Sequence, residues 1–184
     1  MRTNFHSADV LNGSCNLRYD DTNPEKESEE FIKSIQENIK WLGYNPTQIT
    51  HASDYFSKIY DAAIHLIKTG KAYVCEQTQD EIKSSRKSKM PSPHRNRSIE
   101  ENLKLFDKMK KGEFKENTAC LRLKIDHEDV NPTMRDPVAF RVKFHSHPKT
   151  KREWNIYPTY DFTHCISDSI EHISHSLCIL YIIR

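Results

Sequence analysis

Apolar positions along the chain recur in a few regular patterns, and each pattern predicts an element. Phe31, Ile35, Ile39 and Leu42 fall at helical spacing and Gly43 follows, so a helix is expected there, with Asn23 as cap and Pro24 in its first turn. Ahead of it, Cys15 to Tyr19 can form a short buried strand ending at Asp20 and Asp21. Strand, carboxylate-bearing turn and capped helix make half of a βαβ unit. Ser53 and Asp54 can cap a second helix whose Phe56, Ile59, Ala63 and Leu66 face inward and which Gly70 ends. Lys71 to Cys75 reads as a strand. Thr78 with Glu81, and Ser98 with Glu101, each carry the capping-box spacing that opens a helix; Ile99, Leu103, Phe106 and Met109 line the second, and Gly112 stops it.

Two alternating segments follow. Cys120 to Ile125 sets Leu121, Leu123 and Ile125 against Arg122 and Lys124, and Val138 to Phe144 sets Val138, Phe140, Val142 and Phe144 against Ala139, Arg141 and Lys143. Both are strands with a basic alternate face, expected to be wet or to meet phosphates. The block from Trp154 to Cys178 opens with Ile156, Tyr157, Tyr160 and Phe162, which suit a half-buried strand. Pro158 confines that strand to an edge or a bend, because it has no N–H to donate. Ser167 or Asp168 is expected to cap a helix carrying Ile170, Ile173 and Leu177. Tyr160 and Asp161 then stand at a strand-to-helix junction, where α/β proteins place ligands.

Composition narrows the class. Of the 184 residues 36% are hydrophobic and 29% charged, a soluble globular balance, with room for one domain or a domain with an insertion. A formal net charge of +2 is too small to imply a nucleic-acid partner by itself. Clustering of charge has to make that case: the stretch from Ser84 to Arg97 is basic, and Lys149, Lys151 and Arg152 lie near the basic strand faces, which are as well explained by solvent as by phosphates. Five scattered cysteines without zinc or redox spacing read as free thiols in a reducing compartment. The first residues lack an apolar signal core, and the apolar tail from Leu177 to Ile183 is too short to span a bilayer. His164, His172, His175 and Cys178 lie at helical spacings, yet no second ligand pair accompanies them, so a structural or solvated role is expected rather than a metal.

The wording of several blocks adds a family. The run I-Y-P-T-Y-D-F-T-H-C-I-S-D-S-I-E-H-I-S-H-S-L-C, from Ile156 to Cys178, resembles the glutaminyl-tRNA synthetases, which are class I aminoacyl-tRNA synthetases. L-R-Y-D-D-T-N-P-E-K-E from Leu17, A-S-D-Y-F from Ala52 and R-D-P-V-A-F-R-V-K from Arg135 extend the resemblance, so that it covers about Gly13 to Cys178. It implies an α/β fold: an incomplete Rossmann-type nucleotide-binding domain split by an α+β insertion that grips the tRNA acceptor stem. The divisions expected are 1–56, 57–155 and 156–184, the nucleotide-binding part pausing near Phe56 and resuming near Ile156.

The resemblance also implies roles. Asp20 would bind the α-ammonium of glutamine, for which a fixed carboxylate is the natural acceptor, and Tyr160 would read its side-chain amide. Arg95, Arg97, Arg141 and Lys143 would meet acceptor-stem phosphates. The partners implied are glutamine, ATP with Mg²⁺, the acceptor stem of tRNA(Gln) and a multi-synthetase complex, in the cytoplasm; no resident metal or organic cofactor is expected. The family's two ATP-handling signatures, H-I-G-H and K-M-S-K-S, are expected outside this stretch. Lys87-Ser88-Lys89-Met90 resembles the second only in composition and reads as a basic loop. Ile179 stands where the family has an ATP-contacting threonine. An incomplete catalytic region, inactive and poorly soluble alone, is therefore expected, with a non-catalytic tRNA-binding module as the alternative.

Overall fold

The computed structural model describes residues 1–177. Cys178 and the tail beyond Leu177, which carried the metal-spacing, ATP-contact and solubility expectations, lie outside these residues.

The chain opens with α1 (Arg2–Val10), a helix whose weak apolar periodicity gave no sequence signal. Strands β1 (Leu17–Tyr19) and β2 (Ile49–His51) pair in parallel, Leu17 opposite Ile49 and Tyr19 opposite His51, and α2 (Glu29–Trp41) connects them. This completes the βαβ unit that the sequence half revealed. Two details differ. The Asn23–Pro24 segment forms a turn, closed by the Lys26 N–H on the Asn23 carbonyl at 2.9 Å, and α2 starts six residues after Asn23 with Ser28 as its N-cap. The apolar stripe of α2 is also mostly uncovered: Ile39 is buried, but Phe31, Ile35 and Leu42 are exposed, because the two short strands are too narrow to cover it.

A 3₁₀ turn (Ala52–Tyr55) leads into α3 (Phe56–Lys68), where the cap differs from expectation: Asp54 receives the His51 N–H at 2.9 Å. Next come β3 (Ala72–Cys75), α4 (Gln79–Lys87), α5 (Ile99–Lys111), β4 (Cys120–Leu123), β5 (Val138–Val142), β6 (Ile156–Pro158) and α6 (Tyr160–Ile170). Both Thr78 and Ser98 open helices as predicted, their hydroxyls accepting the Glu81 and Glu101 N–H groups, and Thr78 with Glu81 completes the reciprocal box. Gly112 ends α5 at φ +79°, a left-handed position, and a Cβ there would also come 3.1 Å from Asn155 Nδ2.

The four later strands form one antiparallel sheet in the order β3-β4-β5-β6. Helices α3 and α5 cover one face of it, burying Phe56, Ile59, Ile67, Phe106 and Met109 against Val74, Leu121, Phe140 and Ile156. Pro158 does sit on an edge strand. On the other edge, Asn102 accepts the Val74 N–H at 2.8 Å and donates to the Arg97 and Ser98 carbonyls. Arg122 corrects the wet-face reading of β4: it is buried, its Nε donating to the Asp136 carbonyl at 2.8 Å and its guanidinium lying 5.7 Å from the Tyr73 ring. The final strand and helix also correct their sequence reading. The strand stops at Pro158, Thr159 caps α6, and Ser167 and Asp168 fall in its last turns rather than at its start.

Candidate functional site

The strand-to-helix junction sets one row of side chains along α6. Tyr160, His164 and Asp168 are spaced four apart and so share one face. The Tyr160 and His164 rings lie 5.4 Å apart, and His164 Nδ1 lies 3.8 Å from Asp168 Oδ2. Arg18 of β1 closes the row. Its guanidinium donates to Asp168 at 2.7 Å, to Glu171 at 3.0 Å and to Asp20 at 3.1 Å. Burial opposes the charge on Arg18, but hydrogen bonding to Asp168 and the charges of Asp20 and Glu171 outweigh it, raising its pKa. Thr50 of β2 donates to Glu171 at 2.7 Å and ties the second parallel strand to the same cluster. Asp20 and Tyr160, predicted from distant parts of the sequence, thus lie at the two ends of one continuous row. Along α6, eight helical positions, roughly 12 Å of rise, separate Tyr160 from Asp168.

Beside this row, Asp21 is buried and accepts both the Ser53 N–H at 2.8 Å and the Ser53 hydroxyl at 2.7 Å. His147 Nε2 lies 2.8 Å from the Asp21 carbonyl, while Nδ1 accepts the Lys149 N–H at 3.1 Å, so the proton belongs on Nε2. A cleft of about 170 Å³ opens here between Asp21, Glu27, His51 and Lys149. Burial, with Asp21 and Asp20 nearby, raises the Glu27 carboxyl above its usual range. Burial and the charge of Lys149 lower the His51 imidazole below its own.

A larger cavity, about 580 Å³, lies between α4 and the sheet. Lys83, Arg86, Lys87, Arg135 and Arg141 line it, and no carboxylate is among its lining residues. The Nε atoms of Arg86 and Arg141 are buried without a hydrogen-bond partner among the described residues. Burial and the like charges of Arg122 and Arg135 lower the Arg86 pKa. Concentrated cations with unsatisfied donors in a half-enclosed space favour an anion, and guanidinium groups match phosphate geometry.

Over residues 1–181 the sequence matches the family described as tRNA synthetases class I (E and Q), catalytic domain. The chain belongs to this family. The match reaches past the quoted motifs at both ends. Among relatives, a probable glutamine–tRNA ligase of Dictyostelium discoideum is 52% identical over 180 residues, 98% of this chain and 23% of that protein. The cytoplasmic glutamine–tRNA ligase of Arabidopsis thaliana is 53% identical over 180 residues, with the same coverage. The glutamine–tRNA ligase of the bacterium Buchnera aphidicola is 55% identical over 182 residues, 96% of this chain and 32% of that protein. The chain therefore spans about a quarter to a third of the length of these relatives, and the α/β content seen here is that of part of a class I synthetase catalytic domain.

Within this synthetase segment the four basic residues predicted to meet RNA have different surroundings. Arg141 faces the large cavity. Lys143 reaches Glu25 at 2.7 Å. Arg95 pairs with the fully buried Asp136 at 2.7 Å, and Arg97 pairs with Glu76 at 2.6 Å and with Glu101 at 3.4 Å. Sequence reasoning did not single out Arg18, His147 or Arg135, and it met Arg86 only as one of the cations between Ser84 and Arg97. Arg18 and Arg135 lie inside quoted motifs, which was a usable signal; His147 sits just before Lys149, Lys151 and Arg152, whose charges drew the attention instead. Among the described residues no helix is long and apolar enough to cross a membrane.

Proposed function

We propose that the chain is the glutamine-handling and acceptor-end-binding part of a glutamine–tRNA ligase. Such an enzyme activates glutamine with ATP and transfers it to the 3′ end of its tRNA. The observation that carries this is the identity of just over half, along almost the whole chain, to glutamine–tRNA ligases from eukaryotes and a bacterium. In this reading residues 1–56 belong to the nucleotide-binding domain, 57–155 form the acceptor-end insertion, and the nucleotide-binding domain resumes from 156, where β6 hands over to α6.

Asp20 binds the ammonium of glutamine and Tyr160 reads its amide, each from one end of the row that Arg18 organises. Arg18 uses one side of the Asp20 carboxylate, and a carboxylate has about four acceptor sites, so capacity for an ammonium remains. The basic cavity receives a phosphate of the acceptor end through Arg141, with Lys143 close by in sequence on the same segment. Arg95 and Arg97 contribute through donors beyond those in their ion pairs, since a guanidinium has five. Mg²⁺ travels with the ATP phosphates and needs few protein ligands; among the described residues no three His, Cys, Asp or Glu side chains are grouped to hold a metal.

The basic cavity by itself also favours a second reading, a module that binds tRNA without chemistry. Two assays on the full-length protein carrying this segment separate them. Glutamine-dependent pyrophosphate exchange together with tRNA(Gln) retention on a filter supports the ligase. Retention without exchange supports the binding module, and neither would overturn both.

A further inference from the structure

Cys75 and Cys120 are directly opposed residues of the antiparallel β3–β4 pair. Directly opposed antiparallel residues have Cα atoms roughly 4.5–5.5 Å apart, inside the span that a disulfide bridges, and their side chains share one face. We propose that Cys75 and Cys120 form a peroxide-sensitive pair that closes reversibly to a cross-strand disulfide.

Both thiols are free in the structure and differ in environment. Cys75 is fully buried, with its sulfur 3.4 Å from the Ser92 hydroxyl and 3.4 Å from Gln77 Oε1. Cys120 lines the large cavity, and its other cross-strand neighbour is Arg141. The cavity therefore brings a small neutral oxidant to the pair from the Cys120 side. The Cys120 contact lowers the Cys75 pKa against the opposing effect of burial, while the same contact and burial raise that of Cys120. These opposite shifts favour Cys75 as the attacking sulfur and Cys120 as the resolving one.

The chemistry balances with one molecule of hydrogen peroxide. The Cys75 thiolate attacks one peroxide oxygen, the O–O bond breaks, and hydroxide leaves to be protonated to water; Cys75 becomes a sulfenic acid. The Cys120 sulfur then attacks the Cys75 sulfur, and the displaced hydroxide takes the Cys120 proton as a second water. Two thiols are oxidised by two electrons in all, and peroxide is reduced to two waters. A dithiol reductant reverses the bond by exchange.

The consequence lies next to the basic cavity. Ile82 of α4 and Tyr73 surround the two sulfurs, and α4 also carries Lys83, Arg86 and Lys87. Drawing the sulfurs to bonding distance repositions the surface on which Ile82 rests.

The test is to expose a complete ligase carrying this segment to hydrogen peroxide, alkylate remaining thiols and map the peptides. The expected result is equal loss of alkylatable Cys75 and Cys120 in one linked peptide, ahead of the exposed Cys165, and recovery of both on reduction. Prior unfolding in denaturant should abolish this preference. In Cys120→Ser, Cys75 should stop at a sulfenic acid that dimedone traps. Oxidation of Cys165 while Cys75 and Cys120 stay alkylatable would overturn the proposal. So would pairing of either cysteine with another partner, or no dimedone adduct on Cys75 in Cys120→Ser.

Discussion

His147 is joined to Asp21 across the two sheets: its Nε2 meets the Asp21 carbonyl at 2.8 Å, and both residues are buried. Asp21 follows β1 of the parallel pair, and His147 lies between β5 and β6 of the antiparallel sheet, so this contact fixes one sheet against the other. The imidazole ring also stacks on Tyr157 at 5.9 Å and meets the edge of Phe56 at 5.8 Å. His147→Ala should therefore remove a buried hydrogen bond and two ring contacts, costing about 2–3 kcal/mol. Equilibrium denaturation measures this, and a loss under about 0.5 kcal/mol, the size of an ordinary surface substitution, would contradict it.

Arg18 compensates three carboxylates at once, those of Asp20, Asp168 and Glu171. Arg18→Leu leaves them uncompensated in a half-buried cluster, and the expected cost is about 3–5 kcal/mol. Arg18→Lys should recover only part, since an ammonium cannot reproduce the guanidinium fork. Equal stability of the Leu and Lys variants would show that the charge has no role.

These contacts mark the limit of what the sequence disclosed. Capping boxes at Thr78 and Ser98 are local signals, and both helices start where those residues place them. Asp20 and Tyr160 were found through motif wording, but the row joining them was not, because Arg18, Asp168 and Glu171 meet only through tertiary structure. The start of α6 was misread because Tyr160 and Phe162 favour strands, whereas Thr159 caps a helix there and Phe162, Thr163 and Ser167 give it a buried face. Alternation puts Arg122 on a face expected to be wet or to meet phosphates, yet the buried turn at Asp136 supplies carbonyls for it. The α2 stripe had the right period, but a period does not say whether anything lies opposite.

Glu27 gives a pH prediction with a definite sign. Its carboxyl is raised on folding by burial and by Asp21 and Asp20. The folded state then binds that proton more tightly, so the contribution to stability is complete below the unfolded value, about 4.3, and is lost as pH rises through the folded value. Glu27→Gln, neutral throughout, should raise Tm near neutral pH and change it little in acid. Parallel Tm-against-pH curves for the two proteins would refute this.

Glutamine selection tests the row along α6. In a complete ligase carrying this segment, Tyr160→Phe should raise KM for glutamine, or reduce preference over glutamate, by about tenfold, the worth of one specific hydrogen bond. Asp20→Asn should weaken glutamine binding at least as much, by removing the charge opposite the ammonium. Unchanged KM and selectivity in both variants would remove these residues from the amino-acid site.

The most direct measurement is the salt dependence of tRNA(Gln) binding by a complete ligase carrying this segment, with and without Arg141→Gln. The reading of the basic cavity as the seat of an acceptor-end phosphate predicts weaker binding for the variant. It also predicts a plot of log affinity against log salt that is shallower by about one unit, the signature of one lost phosphate contact. Identical affinity and identical slope for the two proteins would contradict it.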